Sequence, residues 1–107
     1  MLHDEDAALS IPSSCDIEVA SAVRGYLLLG VLSAPRAEEL LTDYLALPLH
    51  RHGHEGLLGR VLQLRHNFSA YDAAYVALAE SLGAGLLTVD VPLARAVSTY
   101  TGVTLIS

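Results

Sequence analysis

The sequence predicts an α/β protein whose mostly parallel sheet is covered by helices on both faces. Strand-like and helix-like segments follow one another as β-α-α-β-α-α-β-α-β, an order that is typical of parallel sheets. Residues 73–79 are apolar on every face of a predicted helix, which indicates that this helix is buried. Residues 85–89 form the clearest strand pattern, and a chain of 107 residues is enough for one domain with a single core.

Four elements are expected in the first half of the chain. They are a strand at residues 7–11, a helix at about 15–29, a helix from Ser33 to about Leu45, and a strand at 47–52. Pro12 stops the first strand, and Gly30 closes the first helix, whose cap is Ser13 or Ser14. Pro48 makes the second strand an edge strand or places it at a strand start.

Five further elements are expected in the second half. They are a helix at residues 53–66, the buried helix to about residue 80, the strand at 85–89, a short helix at 91–98, and a strand at 103–106. Ser69 is the expected N-cap of the buried helix, and Asp72 lies where an acid can bond back to that cap. Gly83 ends this helix.

The charge balance limits the kinds of partner. The chain has 12 acidic residues, 6 arginines and no lysine. Binding nucleic acid by broad phosphate neutralisation requires the opposite bias, so nucleic-acid chemistry must be local to a metal ion or rely on a basic partner. The only cysteine, Cys15, excludes an internal disulfide, and no apolar run approaches the ~20 residues of a membrane helix. Because the N-terminus is also too acidic for a signal peptide, we expect a soluble, cytoplasmic protein.

Three acids are expected at the carboxyl edge of the sheet, where ligands bind in folds of this class. Glu18 and Asp72 lie in the first turns of two helices, and Asp90 directly follows the clearest strand. Clustered carboxylates suit Mg²⁺ or Mn²⁺, which can orient and activate water for attack on a phosphodiester. Ser69 and Thr88 would add hydroxyl groups around such a site.

Each of the three acids also has a purely structural explanation. Helix N-termini favour first-turn acids such as Glu18 and Asp72 because of the helix dipole. Capping of the helix that follows it is by itself a sufficient explanation for Asp90. The residues alone leave both interpretations open.

Three segments carry motifs in a fixed order and spacing: residues 16–24, 69–79 and 86–94. They resemble the downstream motifs of PIN-domain ribonucleases, most closely the VapC toxins of bacterial toxin–antitoxin pairs, from about Asp6 to the C-terminus. The resemblance implies a PIN-like three-layer α/β/α domain over residues 1–107. It also implies a Mg²⁺- or Mn²⁺-dependent endoribonuclease, usually a homodimer, which a cognate VapB-like antitoxin silences. Glu18, Asp72 and Asp90 fall on metal-site acids of the family, and Ser69 and Thr88 match polar neighbours of that site.

The chain departs from the family at its N-terminus. Family members begin with a central strand that ends in an Asp, a segment that would precede Met1. Neither Asp4 nor Asp6 can replace that acid, because no apolar strand comes before them. We therefore expect an N-terminally truncated domain, because either Met1 is internal to a longer protein or the product is shortened. The sheet should then have a gap or a foreign strand between the strands at residues 7–11 and 85–89.

Two functions remain open from the sequence. The first is a toxin that hydrolyses RNA phosphodiesters by metal-activated water. The alternative is a catalytically incompetent PIN module that only binds the antitoxin, and the missing first Asp motivates it. A phosphoacceptor domain of the doubly wound class would need a lysine near its acids, and the chain has none.

Overall fold

The computed structural model describes residues 2–3, for their backbone, and residues 9–106. The strands are β1 (Leu2–His3), β2 (Leu9–Pro12), β3 (Leu49–His52), β4 (Gly85–Leu87) and β5 (Leu105–Ile106). The helices are α1 (Cys15–Leu28), α2 (Ala34–Ala46), α3 (Leu58–Gln63), α4 (Ala70–Leu82) and α5 (Val91–Tyr100), with a 3₁₀ turn at Glu55–Leu57. The chain divides into two compact units: Ser13–Pro48 holds α1 and α2, and the other unit holds the sheet and the remaining helices.

The predicted α/β class is confirmed, and the sheet has the order β3-β2-β1-β4-β5. β2 pairs in parallel with β3, and β4 pairs in parallel with β5. β1 pairs antiparallel with both β2 and β4, with Leu2 opposite Ser10 on one side and opposite Leu86 on the other. Four strands therefore run in one direction and β1 runs against them. As predicted, the strand after Pro48 lies at the edge of the sheet.

The prediction of a gap or a foreign strand between β2 and β4 is wrong. The chain's own residues Leu2–His3 fill that position and pair with both neighbours. An unfilled position would leave two rows of backbone donors and acceptors without partners, and a reversed strand can satisfy both rows. Two residues are too few to show a strand periodicity, so the sequence gives no signal for β1. Asp4, Asp6 and the first two residues of the predicted strand at 7–11 lie outside the described residues.

The core of the sheet unit is built around α4, which is buried as its sequence predicts. Ala73, Val76 and Ala79 have no solvent exposure, and the helix packs on β2 and β4. Small side chains allow the helix to approach the strands closely, which strengthens dispersion contacts. Gly83 ends α4 in the left-handed conformation at φ 62°. The remaining buried members of this cluster are Leu64, Phe68, Leu78, Leu86 and Val97.

The helix predicted at residues 53–66 is shorter in the structure. A 3₁₀ turn precedes α3, which covers only Leu58–Gln63. Three glycines, Gly53, Gly56 and Gly59, lower the helix propensity of this segment. Arg60 of α3 forms two hydrogen bonds with Glu80 of α4. Its Nε and Nη2 atoms donate to the two carboxylate oxygens of Glu80 at 2.8 and 3.0 Å. The hydrogen bonds to Glu80 raise the pKa of Arg60.

The unit Ser13–Pro48 is a pair of helices that pack on each other. Ser33 caps α2 as predicted, since its side chain accepts from the Arg36 N–H at 3.2 Å. Ser14 occupies the N-cap position of α1 without a side-chain cap bond, and Gly30 (φ 76°) follows the end of that helix. Among the helices of the described chain, none is long and apolar enough to cross a membrane.

Candidate functional site

Asp72 lies in the first turn of α4, where the cap fixes its backbone. The Ser69 hydroxyl accepts a hydrogen bond from the Asp72 N–H at 3.1 Å, which confirms the predicted N-cap. Asp72 itself is half-buried, while Ala73 and Ala74, which follow it, are buried. The Ser69 cap and the buried residues Ala73 and Ala74 therefore both hold the first turn of α4 in place. This turn is a rigid support for the Asp72 side chain.

Asp90 caps α5, as its structural interpretation predicted. Its Oδ1 atom accepts from the Leu93 N–H at 2.9 Å, and its own N–H donates to the Thr88 hydroxyl at 3.0 Å. β4 ends at Leu87, so Thr88, which was predicted in the strand, lies with Asp90 in the segment between β4 and α5. The cap uses one carboxylate oxygen, and this leaves Oδ2 outside the cap. A structural role for Asp90 is thus compatible with a role as a ligand.

The topology of the sheet unit brings Asp72 and Asp90 to the same edge. Only Gly83 and Ala84 separate α4 from β4, so the two elements run in opposite directions. The N-terminus of α4 therefore lies on the side of the sheet unit toward which the carboxyl end of β4 points, and α5 begins after that end. Both helix N-termini direct partial positive charge toward this edge, which favours carboxylates there. The edge is open to solvent, because Val89 is 100 % exposed and Tyr71 is 60 % exposed.

Glu18 lies in the first turn of α1 and is half-buried. It belongs to the unit Ser13–Pro48, whereas Asp72 and Asp90 belong to the sheet unit. Over residues 9–106, no three His, Cys, Asp or Glu side chains are grouped as a set that could hold a metal ion. The site of three acids, with Ser69 and Thr88 around it, therefore stays a prediction.

The donor groups at the sheet edge fit a hard divalent cation. Asp72 and Asp90 offer carboxylate oxygens on rigid supports, and the open edge leaves room for the water molecules that Mg²⁺ retains. The hydroxyl oxygens of Ser69 and Thr88 accept hydrogen bonds from the backbone N–H groups of Asp72 and Asp90. These two residues therefore fix the backbone positions of the two acids. Asp72 and Asp90 are therefore the residues of this edge that could contribute oxygen ligands to such a cation.

A hydrogen-bonded group near Glu18 has no signal in the sequence. The Tyr44 hydroxyl donates to Asp16 Oδ1 at 2.7 Å and lies 3.6 Å from Cys15 Sγ. Burial raises the pKa of Tyr44, and the hydrogen bonds to Asp16 and Cys15 raise it further. Asp16 lies within the first motif segment, but Tyr44 is 28 residues further along the chain, and no spacing pattern connects the two.

Comparison with known proteins identifies the family. No family model matches the sequence. The chain is 39 % identical over 85 residues to Ribonuclease VapC9 of Mycobacterium tuberculosis (strain ATCC 25618 / H37Rv), which is 79 % of this chain and 67 % of that protein. The chain belongs to the VapC ribonuclease family.

Two further relatives from the same organism support this assignment. Ribonuclease VapC12 is 36 % identical over 84 residues, which is 78 % of this chain and 65 % of that protein. Ribonuclease VapC3 is 37 % identical over 89 residues, which is 83 % of this chain and 65 % of that protein. The resemblance that the three motif segments carry is therefore confirmed. The matches cover about two thirds of each relative's length.

Proposed function

We propose that this chain is the toxin component of a type II toxin–antitoxin system, a divalent-metal-dependent endoribonuclease that hydrolyses RNA phosphodiesters. The observation that carries the proposal is its membership of the VapC family, whose matched relatives are named ribonucleases. The arrangement of Asp72 and Asp90 at one open edge of the sheet supports it further.

In this proposal Glu18, Asp72 and Asp90 hold Mg²⁺ or Mn²⁺ through their carboxylate oxygens. A bound divalent cation supplies Lewis-acid chemistry, since it lowers the pKa of water and offsets negative charge on the phosphodiester. The chain contributes the positions of the acids. Ser69 holds the first turn of α4, and Thr88 holds the backbone of Asp90. The N-termini of α4 and α5 favour negative charge at this edge, that of the RNA phosphate included.

The proposed partners are the RNA substrate, a cognate VapB-like antitoxin and a second copy of this chain. The formal net charge of −6 repels the RNA backbone at long range, so affinity must come from the site itself. Large apolar side chains at the end of α1 are exposed and fit a homodimer surface: Tyr26, Leu28, Leu29 and Val31. The same negative charge favours an antitoxin with a basic binding segment.

The substitution Asp72→Asn tests the proposal. It removes the charge of one acid but leaves the Asp72 backbone N–H, which bonds to Ser69. We expect RNA cleavage to fall by at least ~100-fold with an unchanged melting temperature, because a metal-site ligand acts through its charge. The readout is the initial rate of cleavage of a labelled RNA in the presence of Mg²⁺.

Asp43→Asn is the matched control, because Asp43 is an exposed acid on α2. This variant should cleave at the wild-type rate. Undiminished cleavage by Asp72→Asn would contradict the proposed role of Asp72, and equal losses in both variants would indicate a general charge effect.

The structure also provides an observation in favour of the alternative, an inactive module that only binds antitoxin. The central position of the sheet is held by β1, whose direction opposes that of β2 and β4. Its carboxyl end therefore points away from the edge that carries Asp90, whereas the family strand would end there. If the chain binds a VapB-like antitoxin but cleaves no RNA with either metal, the alternative holds.

A further inference from the structure

The two acids of the sheet unit have exposed apolar neighbours. Tyr71 directly precedes Asp72 and is 60 % exposed. Val89 and Val91 lie on either side of Asp90 and are 100 % and 62 % exposed. Exposed apolar surface beside carboxylates adds nothing to the binding of a bare hard cation, whose ligands are oxygen atoms. It suits a ligand that also has an apolar face, and a nucleotide combines such a face with a phosphate group.

Tyr71 has a fixed backbone and an exposed ring. It lies in the first turn of α4, where the Ser69 hydroxyl group accepts from the Asp72 N–H at 3.1 Å. Ala73 and Ala74, which follow in the same helix, are buried in the core. Because the backbone is already ordered and a tyrosine has only two side-chain torsions, a contact with its ring costs little conformational entropy.

The charge of the chain makes a non-ionic contact with RNA necessary. Six arginines stand against 12 acidic residues, and there is no lysine, so neutralisation of many phosphates cannot supply the affinity. Two of these arginines, Arg36 and Arg60, are paired with glutamates. Stacking of a base on an aromatic side chain supplies affinity without any charge.

Tyr71 is the exposed aromatic residue that lies beside an acid of the candidate site. Three aromatic side chains in the described part of the chain are more than half exposed: Tyr26, Tyr71 and Tyr100. Tyr26 belongs to the other unit. Tyr100 is the last of the 10 residues of α5, which separate it from Asp90 by roughly 15 Å. The Cα atoms of Tyr71 and Asp72, in contrast, are consecutive and about 3.8 Å apart.

We propose that Tyr71 is a base-stacking residue, on which the RNA places a nucleobase next to the phosphodiester that is cleaved. The inference rests on the proposed function, because it takes Asp72 to lie at the site of cleavage. It requires no residue of the unit Ser13–Pro48. The stacked base orients its nucleotide, and the ring of Tyr71 provides the contact without its hydroxyl group.

The test measures binding of a labelled RNA that the wild-type chain cleaves, with the metal removed by a chelator so that the RNA stays intact. Tyr71→Ala should weaken binding roughly 5- to 100-fold, which corresponds to about 1–3 kcal/mol for one stacked base. Tyr71→Phe keeps the ring and should bind within about twofold of the wild type. The loss in Tyr71→Ala should be equal at low and high salt, because a stacking contact releases no counterions.

An altered RNA shows whether a base is the partner of Tyr71. An RNA that lacks the bases on both sides of the mapped cleavage position should bind the wild type and Tyr71→Ala equally, because the stacked group is absent in both complexes. Tyr100→Ala is the matched control, since Tyr100 is an exposed tyrosine of the same unit, and it should bind the intact RNA like the wild type. The melting temperature should not change in Tyr71→Ala, because the side chain is mostly exposed.

Three results would overturn the inference and leave the proposed function intact. They are wild-type RNA affinity in Tyr71→Ala, equal losses in Tyr71→Phe and Tyr71→Ala, or an abasic RNA that still distinguishes the wild type from Tyr71→Ala. If Tyr71→Ala binds RNA normally but loses affinity for a VapB-like antitoxin, the ring serves a protein contact and the inference is wrong. If the wild-type chain cleaves no RNA, the proposed function fails, and the inference fails with it.

Discussion

Asp90 caps a helix, and it is also one of the proposed metal ligands. Its Oδ1 atom caps α5, and the cap does not use its second oxygen. The sequence presents these roles as competing explanations, but the geometry allows both. An acid that caps a helix has a fixed orientation, and a fixed orientation lowers the cost of binding a cation.

The two roles of Asp90 can be separated by substitution. Asp90→Asn keeps a good N-cap, so stability should stay within ~0.5 kcal/mol while RNA cleavage is lost. Asp90→Ala removes both the helix cap and the proposed metal ligand. It should abolish RNA cleavage and lower the free energy of unfolding by about 1 kcal/mol. Urea denaturation and a cleavage assay check the pair. If Asp90→Asn cleaves normally, Asp90 is a cap and nothing more.

At the scale of elements, α4 organises the sheet unit, and its end points are set by single residues. Ser69 caps the start of α4. Gly83 ends the helix in the left-handed backbone conformation, which residues other than glycine rarely adopt. These signals are local, so the sequence predicts them well. The region before α4 is less predictable, because glycines interrupt its apolar pattern and shorten the helix to Leu58–Gln63.

Two glycine-to-alanine substitutions should have opposite effects on stability. A Cβ at Gly83 meets no atom within 4 Å, so the cost of Gly83→Ala comes from its φ of +62° and should be about 1–2 kcal/mol. Gly59 lies inside α3 and has equal space, and Gly59→Ala should stabilise by ~0.5–1 kcal/mol. Thermal unfolding measures both. If the melting temperature changed in the same direction in both variants, Gly83 would not be needed for the left-handed end of α4.

At the scale of the whole molecule, the sequence predicts the order of elements but not all of their pairings. The α/β class, the buried helix and the edge position of β3 follow from periodicity and from proline chemistry. β1 could not be predicted, because two residues show no period and their partners are distant in sequence. The bond between Tyr44 and Asp16 joins two helices, and it also depends on packing that no local pattern encodes.

The acids of the candidate site illustrate the same limit. Motif order predicts Asp72 and Asp90, and the topology of α4, β4 and α5 places them at one edge. Glu18 lies in the other unit, and its role in the site is a proposal that rests on the family resemblance. We propose that these acids together give the chain a metal-dependent ribonuclease activity.

Metal-dependent RNA cleavage by the 107-residue chain tests this claim most directly. The chain is stripped of metal with a chelator, and cleavage of a labelled RNA is then followed with and without added Mg²⁺ or Mn²⁺. We predict no cleavage in the stripped protein and restored cleavage once either ion is added in excess, with Asp72→Asn inactive throughout. Cleavage that persists in the chelator, or an RNA that stays intact at saturating Mg²⁺ and Mn²⁺, would contradict the claim.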